Sequence, residues 1–427
     1  MNADRTLPAL VDARTGAQDA LARIVRFLLF VSLAQAVVVP NSFQIVQLGS
    51  LVLTGALCVV LIRRDLWLNR VLLTLFAGAV VTAIYIWVGY SAGAPREAST
   101  QTLFVYVVAP FLWAIMGTAL FQYVGIVRAT RWLIWLTWAA IVSVALFFWA
   151  FLTFGRAAVV FLNPDANVNV SGGFAGASIL VYGSLIFLAG ALFAQPDLVR
   201  GRVARIVLPA LVFLTALTSG RSALILAVPI GYGVGALLRS RMGQVEDAPA
   251  QRSVLLPTVL LAIGGLLVVA VIDFFVDSID LWTIVERFWE ELTSGGGSDR
   301  TEQSAALWEG FLDSWGVGVG HGIGVPYLRN AIFPWRYEVL PLATLLRVGV
   351  IGSVVYCSTF LIYGAGVWRR IVARDLSPQD VYMLGGFVPA LLSIATNPYI
   401  ESFVFQWMYF VPVMSLAVRP LERYARD

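Results

Sequence analysis

The sequence consists largely of long apolar stretches, separated by short segments that carry charged or turn-forming residues. A helix that crosses the hydrocarbon core of a bilayer needs about 20 predominantly apolar residues. This criterion predicts twelve spans, which lie at residues 21–39, 43–62, 70–90, 102–121, 132–153, 173–194, 204–218, 221–238, 254–276, 338–366, 380–396 and 401–418. The pattern therefore predicts an all-α polytopic membrane protein with about twelve transmembrane helices.

The composition agrees with a membrane protein and excludes an ordinary soluble enzyme. Of the 427 residues, 59% are hydrophobic and 13% are charged, whereas about a quarter of the residues in a soluble domain are charged. The mean hydropathy of the chain is +0.83. We therefore expect the lipid bilayer to cover much of the surface of the folded chain.

The arginines are divided unevenly between the two sides of the predicted bundle. All 29 basic residues are Arg, and alternating the connections between spans places 21 of them on one side and 8 on the other. Because positively charged loops stay in the cytoplasm, both termini are predicted to be cytoplasmic. The pI of 9.2 then reflects membrane topology, and it gives no reason to expect a nucleic-acid partner.

The predicted spans divide the chain into five parts. Residues 1–20 are expected to form a polar cytoplasmic tail without a removable signal peptide, and residues 419–427 a second cytoplasmic tail. Helices one to nine are predicted at residues 21–276, one large loop outside the cytoplasm at residues 277–337, and helices ten to twelve at residues 338–418. This loop is the longest predicted connection outside the cytoplasm, so we expect any chemistry to take place there.

Three elements are predicted inside the large loop. Residues 281–292 have the apolar and acidic spacing of an amphipathic helix on the membrane surface. A second helix is expected to start near Asp299, because Asp299 and Glu302 resemble a capping box, and residues 294–298 form a flexible hinge before it. Glycines alternate over residues 316–324, which favours a tight re-entrant turn over a dinucleotide-binding loop, since no strand precedes them.

One candidate anion site lies at the outer junction of the seventh and eighth spans. Ser219, Arg221 and Ser222 stand where the eighth helix begins, and the free N–H groups of a helix N-terminus favour a phosphate. A helix N-cap beside an arginine that reaches towards the bilayer surface explains the same residues equally well.

A second set of candidates lies in and after the large loop. Arg300 stands in the first turn of the predicted loop helix, where a cation opposes the helix dipole and an external anion would compensate. Glu338 stands at the outer mouth of the tenth span, where burial would raise its pKa and suit it as a general base. The simpler reading of Arg300 is a solvated surface charge, and that of Glu338 an interfacial carboxylate paired with Arg336 or Arg347.

Other polar residues give weaker signals. His321 lies within the glycine run and, as a lone histidine, is more often incidental than catalytic. Arg156 and Asp165 lie in an outer stretch whose side chains suit sugar hydroxyls but equally suit turns. With one His and two Cys that both lie in apolar runs, the sequence predicts neither a metal site nor a disulfide, and the absence of Lys excludes a Schiff base.

The order of these motifs resembles the O-antigen ligase and polymerase superfamily, whose members are integral membrane glycosyltransferases that use polyprenyl-diphosphate-linked glycans. The motifs read SGRSA at 219–223, DRTEQSAALWEGF at 299–311, GVGVGHGIG at 316–324 and EVLPLATLLRVGVIG at 338–352. The N-terminal half matches only as hydrophobic spans. The resemblance implies a fold like that of the C-type glycosyltransferases and a site on the periplasmic face of a bacterial inner membrane.

The resemblance also implies roles for individual residues. Arg221 and Arg300 match the arginines that hold the lipid diphosphate, so no metal or other cofactor is implied. In ligases the residue eleven positions before the glycine of the last motif is a histidine. Here Gly349 is that glycine, and the residue eleven positions before it is Glu338. A carboxylate at this position resembles the polymerase branch. The implied partners are a polyprenyl-diphosphate-linked donor and acceptor, together with a flippase and a chain-length regulator.

Other functions remain open at the level of sequence. A ligase that moves finished glycan to a lipid or protein acceptor shares these motifs. A twelve-span transporter or lipid flippase fits the number of spans, although transporters usually place ionisable residues at the bilayer midplane. A scaffold for a polysaccharide export complex is the weakest alternative.

Overall fold

The structure, a computed structural model, describes residues 6–40, 42–160, 168–171, 174–177, 181–217, 219, 222–239, 241–242, 298–329 and 333–418. This part of the chain is predominantly helical. In chain order its α-helices are α1 (Thr6–Val38), α2 (Gln44–Leu61), α3 (Leu66–Ser91), α4 (Arg96–Tyr123, with a π-helical turn at Phe104–Val108), α5 (Ile126–Phe154), α6 (Ala157–Val160), α7 (Val181–Ala194), α8 (Arg202–Leu217), α9 (Ser222–Arg239), α10 (Ser298–Asp313), α11 (Leu340–Ala373), α12 (Pro378–Ser393) and α13 (Trp407–Met414).

Six of the described helices are long and apolar enough to cross a membrane, which confirms the prediction of a helical membrane protein. They are Ala20–Val38 within α1, together with α2, α3, α4, α5 and α11. Shorter apolar helices occupy Val181–Ala194, Ala223–Arg239 and Trp407–Ala417. The total of twelve spans stays a prediction, and the predicted ninth span at 254–276 lies outside the described residues.

The structure differs from the predicted sixth span at its start. A short antiparallel hairpin pairs β1 (Val168–Ser171) with β2 (Phe174–Ala177), and α7 begins only at Val181. The two residues between the strands are Gly172 and Gly173, a sequence that two-residue hairpin turns favour. The apolar run that predicted a span from residue 173 is therefore divided between a strand and a helix.

The centre of the bundle is α7, in which every residue is buried between α9 and α12. A Cβ on Gly231 would lie 2.2 Å from the carbonyl oxygen of Gly190, and a Cβ on Gly190 would lie 2.3 Å from that of Gly385. Such close backbone approach through small residues is typical of helix packing in membranes. Because Gly231 meets Gly190 and Gly235 meets Ala194, α9 and α7 run in parallel.

The glycine run of the loop enters the bundle between α3 and α11. Gly316, Gly318, Gly320 and Gly322 have φ of +72°, +97°, +98° and +87°, a region that side chains other than glycine disfavour. The amide of Val319 donates to the carbonyl of Leu346 at 2.8 Å, and the amide of His321 donates to that of Tyr85 at 2.9 Å. These bonds agree with the predicted re-entrant turn, since buried irregular backbone needs such partners.

A break in α11 provides the carbonyl groups that this turn needs. Gly349 has φ +63° within the helix, so the helix no longer uses the preceding carbonyls, and the carbonyl of Arg347 accepts from the amide of Gly320 at 2.9 Å. A Cβ on Gly349 would lie 2.3 Å from the carbonyl oxygen of Val317. The fit of the turn against α11 therefore depends on glycine at this position.

The loop helix α10 starts at Ser298, close to the predicted start at Asp299. An apolar cluster attaches α10 to the start of α11; its buried members are Leu307, Val325, Tyr337, Ala343 and Leu346. The predicted amphipathic helix at 281–292 and residues 294–297 of the predicted hinge lie outside the described residues.

The expected N-terminal tail is partly helical in the structure. Residues 6–19, which the sequence assigned to a polar cytoplasmic tail, continue into the apolar part of α1 as one helix. The predicted C-terminal tail, 419–427, lies outside the described residues.

Candidate functional site

Five residues that the sequence singled out lie near the same end of the bundle. Arg300 lies on α10, His321 on the glycine turn, Arg336 and Glu338 on the segment before α11, and Arg347 on α11. The glycine turn and the apolar cluster under α10 bring these separate segments together.

The outer part of the site is a carboxylate held between two arginines. Nε of Arg300 donates to Oε2 of Glu338 at 2.9 Å, and Nη2 of Arg329 donates to Oε1 at 2.5 Å. The side chain of Glu338 is 24% exposed. The interfacial pairing expected for Glu338 is therefore present, with Arg300 and Arg329 as partners instead of Arg336 or Arg347.

Gln303 on α10 fixes the backbone at this point. Its Oε1 accepts hydrogen bonds from the amides of Glu338 and Val339 at 2.8 and 3.0 Å, and its side chain is buried. One turn of α10 thus carries Arg300 and also holds the chain that carries Glu338. This connection explains why the two residues meet although 38 positions separate them.

The inner part of the site is a buried ion pair between Arg347 and Glu401. Nη1 of Arg347 donates to Oε1 of Glu401, and Nη2 donates to the carbonyl of Trp335 at 2.6 Å. The two side chains are 4% and 11% exposed. The hydroxyl of Tyr106, on the π-helical turn of α4, donates to the same Oε1 at 2.5 Å. A charge this deep is tolerated because it is paired and hydrogen-bonded.

His321 lies behind the ion pair in a hydrogen-bonded chain. Its Nε2 and the hydroxyl of Tyr356 are 3.0 Å apart, and that hydroxyl is 2.8 Å from the hydroxyl of Thr82. Burial, with a smaller contribution from the charge of Arg347, lowers the pKa of His321 to about 3. The imidazole is therefore neutral near pH 7, so it contributes hydrogen bonding to this end of the bundle and no positive charge.

A small cavity lies beside the ion pair. Its volume is about 20 Å³, room for about one water molecule, and the residues that line it include Gln101, Arg336, Arg347 and Glu401. A wider, more open pocket of about 480 Å³ also contacts Gln101 and Arg336. Because the two pockets share these residues, they are neighbours.

Arg336 stands between the two pockets. Its Cζ lies 4.2 Å from the centre of the Phe333 ring, and its buried Nε has no hydrogen-bond partner among the residues that the structure describes. Burial is the main reason why the pKa of Arg336 is lowered, while Glu401 acts in the opposite direction. A guanidinium in this position has a donor left for a polar or anionic ligand.

The remaining predicted site residues are Ser219, Ser222, Arg156, Arg221 and Asp165. Ser219 is buried, and its hydroxyl donates to the carbonyl of Ala216 at 2.7 Å. Ser222 begins α9, which runs parallel to α7, and a Cβ on Gly183 of α7 would lie 2.7 Å from the ring of Tyr399. The start of α9 is therefore at the same end of the bundle as Glu401. Arg156 is exposed after α5, and Arg221 and Asp165 lie outside the described residues.

The sequence analysis missed Glu401, Tyr106, Gln101 and Arg329. Glu401 did carry a signal, because it stands at the predicted start of the twelfth span, the same apolar boundary that drew attention to Glu338. Tyr106 carried none, since a tyrosine within an apolar span is ordinary. Within the described part of the chain, no three His, Cys, Asp or Glu residues come together in a way that could hold a metal ion.

The fold and the site together define a helical membrane protein with an arginine-lined cavity that opens at one end of its bundle. No protein-family model, curated protein or solved structure matches the chain. The function is therefore argued from the chemistry of this cavity and from the order of the sequence motifs.

Proposed function

We propose that the chain is a glycosyltransferase that polymerises polyprenyl-diphosphate-linked oligosaccharide repeats. The observation that carries the proposal is the concentration of arginines at one end of the bundle: Arg336 and Arg347 line a cavity together with Glu401, and Arg300 binds Glu338 on the same stretch of chain. A diphosphate leaving group needs positive charge when the glycosidic bond breaks, and fixed guanidinium groups provide it without a metal.

The outer carboxylate cluster suits the diphosphate. Arg300 and Arg329 both bind Glu338 at the protein surface, and phosphate oxygens compete well for guanidinium groups that are only partly buried. We assign Arg300 and, from the sequence motif alone, Arg221 to the diphosphate, and Glu338 to holding Arg300 in place before the donor binds. The sequence predicts Glu338 as general base. Because Arg300 and Arg329 each bind one oxygen of its carboxylate, these contacts would have to break before the carboxylate could accept a proton, and the role stays a prediction.

The surrounding helices suit a lipid-linked substrate. Large apolar side chains are exposed on the outer helices, among them Ile45, Val60 and Trp87 at 87%, 81% and 69%, and lipid would cover them. The distribution of arginines in the sequence supports placing this end outside the cytoplasm, and the resemblance of the motifs implies the periplasmic face of a bacterial inner membrane. Its partners in the proposal are the lipid-linked donor and acceptor, with a flippase and a chain-length regulator nearby.

The proposal is tested by transfer in a purified system. Full-length protein in nanodiscs is incubated with lipid-linked oligosaccharides extracted from cells that lack the gene, and the products are separated by gel. Because a charge-assisted bond contributes about 1.5 to 3 kcal/mol, Arg300→Ala should slow transfer about 10- to 100-fold. Arg205→Ala, which removes the exposed partner of Asp197, is the control and should leave transfer unchanged.

The products also separate the polymerase from its nearest alternative. A ladder of lengthened lipid-linked chains supports the polymerase, while transfer of glycan to a lipid or protein acceptor without lengthening supports a ligase. An Arg300→Ala protein that is folded and fully active would contradict the role given to Arg300, and a wild-type protein without any transfer would contradict the proposal.

A transporter is the second candidate, and one feature favours it. The break of α11 at Gly349 beside the buried Arg347–Glu401 pair is similar to the discontinuous helices that transporters use near their substrates. Flux of lipid-linked oligosaccharide across proteoliposomes, without a change in glycan length, would favour this candidate.

A further inference from the structure

We infer that the second half of α10 and the turn after it lie in the interfacial layer of the bilayer, with Trp308, Leu312 and Trp315 in contact with lipid. The inference goes beyond the proposed glycosyl transfer and does not depend on it. It gives a lipid partner to a segment that the sequence assigned to a loop outside the membrane.

The first reason is that α10 has three faces of different character. The face towards the rest of the protein is buried and consists of Gln303, Leu307 and Phe311. The first exposed face is acidic and consists of Glu302, Glu309 and Asp313. The second exposed face is apolar and consists of Ala305, Trp308 and Leu312. The two exposed faces lie about 90° apart around the helix axis. A helix between protein and water needs only two faces, so the third indicates a third medium.

The second reason is that the apolar face continues beyond the helix and adjoins a membrane-spanning surface. Trp315 and Val317 are 91% and 64% exposed. They flank Gly316, whose carbonyl accepts from the amide of Val350 on α11 at 3.0 Å. Val350 and Ile351 are themselves 50% and 80% exposed, on a helix that is long and apolar enough to cross a membrane.

The third reason is the depth at which the turn meets α11. From Val350 to Arg369, which marks the far end of the apolar run, the helix is about 28 Å long. The hydrocarbon core of a bilayer is about 30 Å thick. Val350 and the turn beside it therefore lie at one edge of that core, where tryptophan is enriched. Trp368, at the Arg369 edge, is 65% exposed as well.

The same depth accounts for the charged residues near the turn. Arg347 lies three positions before Val350, so its ion pair with Glu401 is just outside the hydrocarbon core, where a charge costs less than at the centre. Glu309 and Asp313 are on the acidic face of α10, which can turn towards water while the neighbouring face contacts lipid.

Lipid fits this face better than a second protein surface does. The face is a narrow stripe that adjoins the exposed apolar side chains of α11, which a bilayer would cover in any case. Aromatic side chains with an apolar body and a polar tip, such as those of Trp308 and Trp315, suit the boundary between acyl chains and headgroups.

The test attaches an environment-sensitive fluorophore, nitrobenzoxadiazole, to single positions of the full-length protein in nanodiscs. Cys58→Ala and Cys357→Ser first remove the native thiols, so that the label reacts only with the introduced cysteine. Leu312→Cys reports on the apolar face, and Glu309→Cys is the matched control on the acidic face of the same helix. Emission is quenched either by iodide in the water or by lipids that carry a nitroxide close to the headgroup.

The label at Leu312→Cys should emit at a shorter wavelength than the label at Glu309→Cys. It should lose most of its emission in nitroxide lipid and little with iodide, and the label at Glu309→Cys should behave in the opposite way. Trp315→Cys guards against a folding defect, because this side chain is 91% exposed and its replacement removes little packing. Its matched control is Asp313→Cys.

Each outcome decides the inference. Quenching at Leu312→Cys and Trp315→Cys by iodide, and not by nitroxide lipid, would place the face in water and contradict it. Protection from both quenchers would mean that protein covers the face, either another segment or a second copy of the chain, and would contradict it too. Quenching of these two labels by nitroxide lipid, with iodide quenching at both controls, supports the inference whether or not the protein transfers glycan.

Discussion

Two arginine–carboxylate pairs lie near the two ends of α11, and they differ in what the carboxylate does. Near the C-terminal end, Arg370 donates to Oδ1 of Asp380 at 3.0 Å and to the carbonyl of Leu416 at 3.0 Å. Oδ2 of Asp380 accepts from the amide and hydroxyl of Ser377, which completes the capping box of α12. Both carboxylate oxygens therefore serve local structure.

The pair near the N-terminal end of α11 is arranged differently. Arg347 and Glu401 meet beside a helix break, and both residues line a cavity. Two pairs of the same chemical type thus differ in whether the surrounding fold uses all of their hydrogen-bonding capacity. A buried carboxylate with capacity left over beside a cavity is the better marker of function.

The largest expected effect is the recovery of thermal stability by a second substitution, which should occur at one ion pair and not at the other. Removing one partner of a buried ion pair costs about 3 to 5 kcal/mol, so both Arg347→Met and Arg370→Met should lower thermal stability strongly. Adding Glu401→Gln to Arg347→Met should restore most of the loss, since no charge then remains unpaired. Adding Asp380→Asn to Arg370→Met should not, because the capping box is also lost. Equal rescue in thermal unfolding at both ends would remove the distinction.

The next effect tests whether the glycine turn shapes the functional end. A Cβ on Gly320 would lie 2.3 Å from the amide nitrogen of Gly89, at φ +98°, so Gly320→Ala should destabilise the protein by about 2 to 4 kcal/mol. Gly364 on α11 has open space around it, and Gly364→Ala should be neutral or stabilise by up to about 1 kcal/mol. Thermal unfolding of both variants in nanodiscs provides the measurement, and equal stability would contradict the packing described for the turn.

A smaller effect concerns pH at the same end. Because the pKa of His321 falls from 6.5 to about 3 on folding, the unfolded chain binds the extra proton between these values. Above pH 6.5 the titration of this group does not change the free energy of unfolding. As the pH falls from 6.5 towards 3, the free energy of unfolding decreases by about 1.4 kcal/mol per pH unit. His321→Gln should make stability less sensitive to acid over this range. An unchanged pH dependence of thermal unfolding would show that the imidazole is not held neutral.

The smallest effect is expected at the outer carboxylate. Glu338 is partly exposed, and exposed ion pairs contribute no more than about 1 kcal/mol. Glu338→Gln should therefore lower thermal stability by no more than about 1 kcal/mol. A loss of several kcal/mol in thermal unfolding would contradict the partly exposed position of this carboxylate.

Local patterns in the sequence predict much of this architecture and part of the site. Apolar runs identify the helices, the capping pattern predicts the start of α10, and the alternating glycines predict the turn. Arg300 and Glu338 were singled out separately, and their contact follows from the packing of α10 on α11. The motifs therefore point to one end of the bundle, where the structure brings Arg300 and Glu338 together.

The pairing of Arg347 with Glu401 was not predictable, because it depends on tertiary contacts that leave no local signature, although each residue stands at the boundary of an apolar run. Arg347 and Glu401 are 54 positions apart, and Tyr106 reaches them from α4 through a π-helical turn. The hairpin at 168–177 was missed for a related reason, since an apolar, glycine-containing run is compatible with either a strand or a helix.

The central claim is that glycan transfer takes place at the Arg347–Glu401 end of the bundle, and one measurement tests it most directly. Single-turnover transfer of extracted lipid-linked oligosaccharides is compared between Arg347→Met/Glu401→Gln and Arg370→Met at equal amounts of folded protein in nanodiscs. The account predicts no detectable transfer by the double variant and the wild-type rate per folded molecule for Arg370→Met. Transfer at the wild-type rate by the double variant would contradict it.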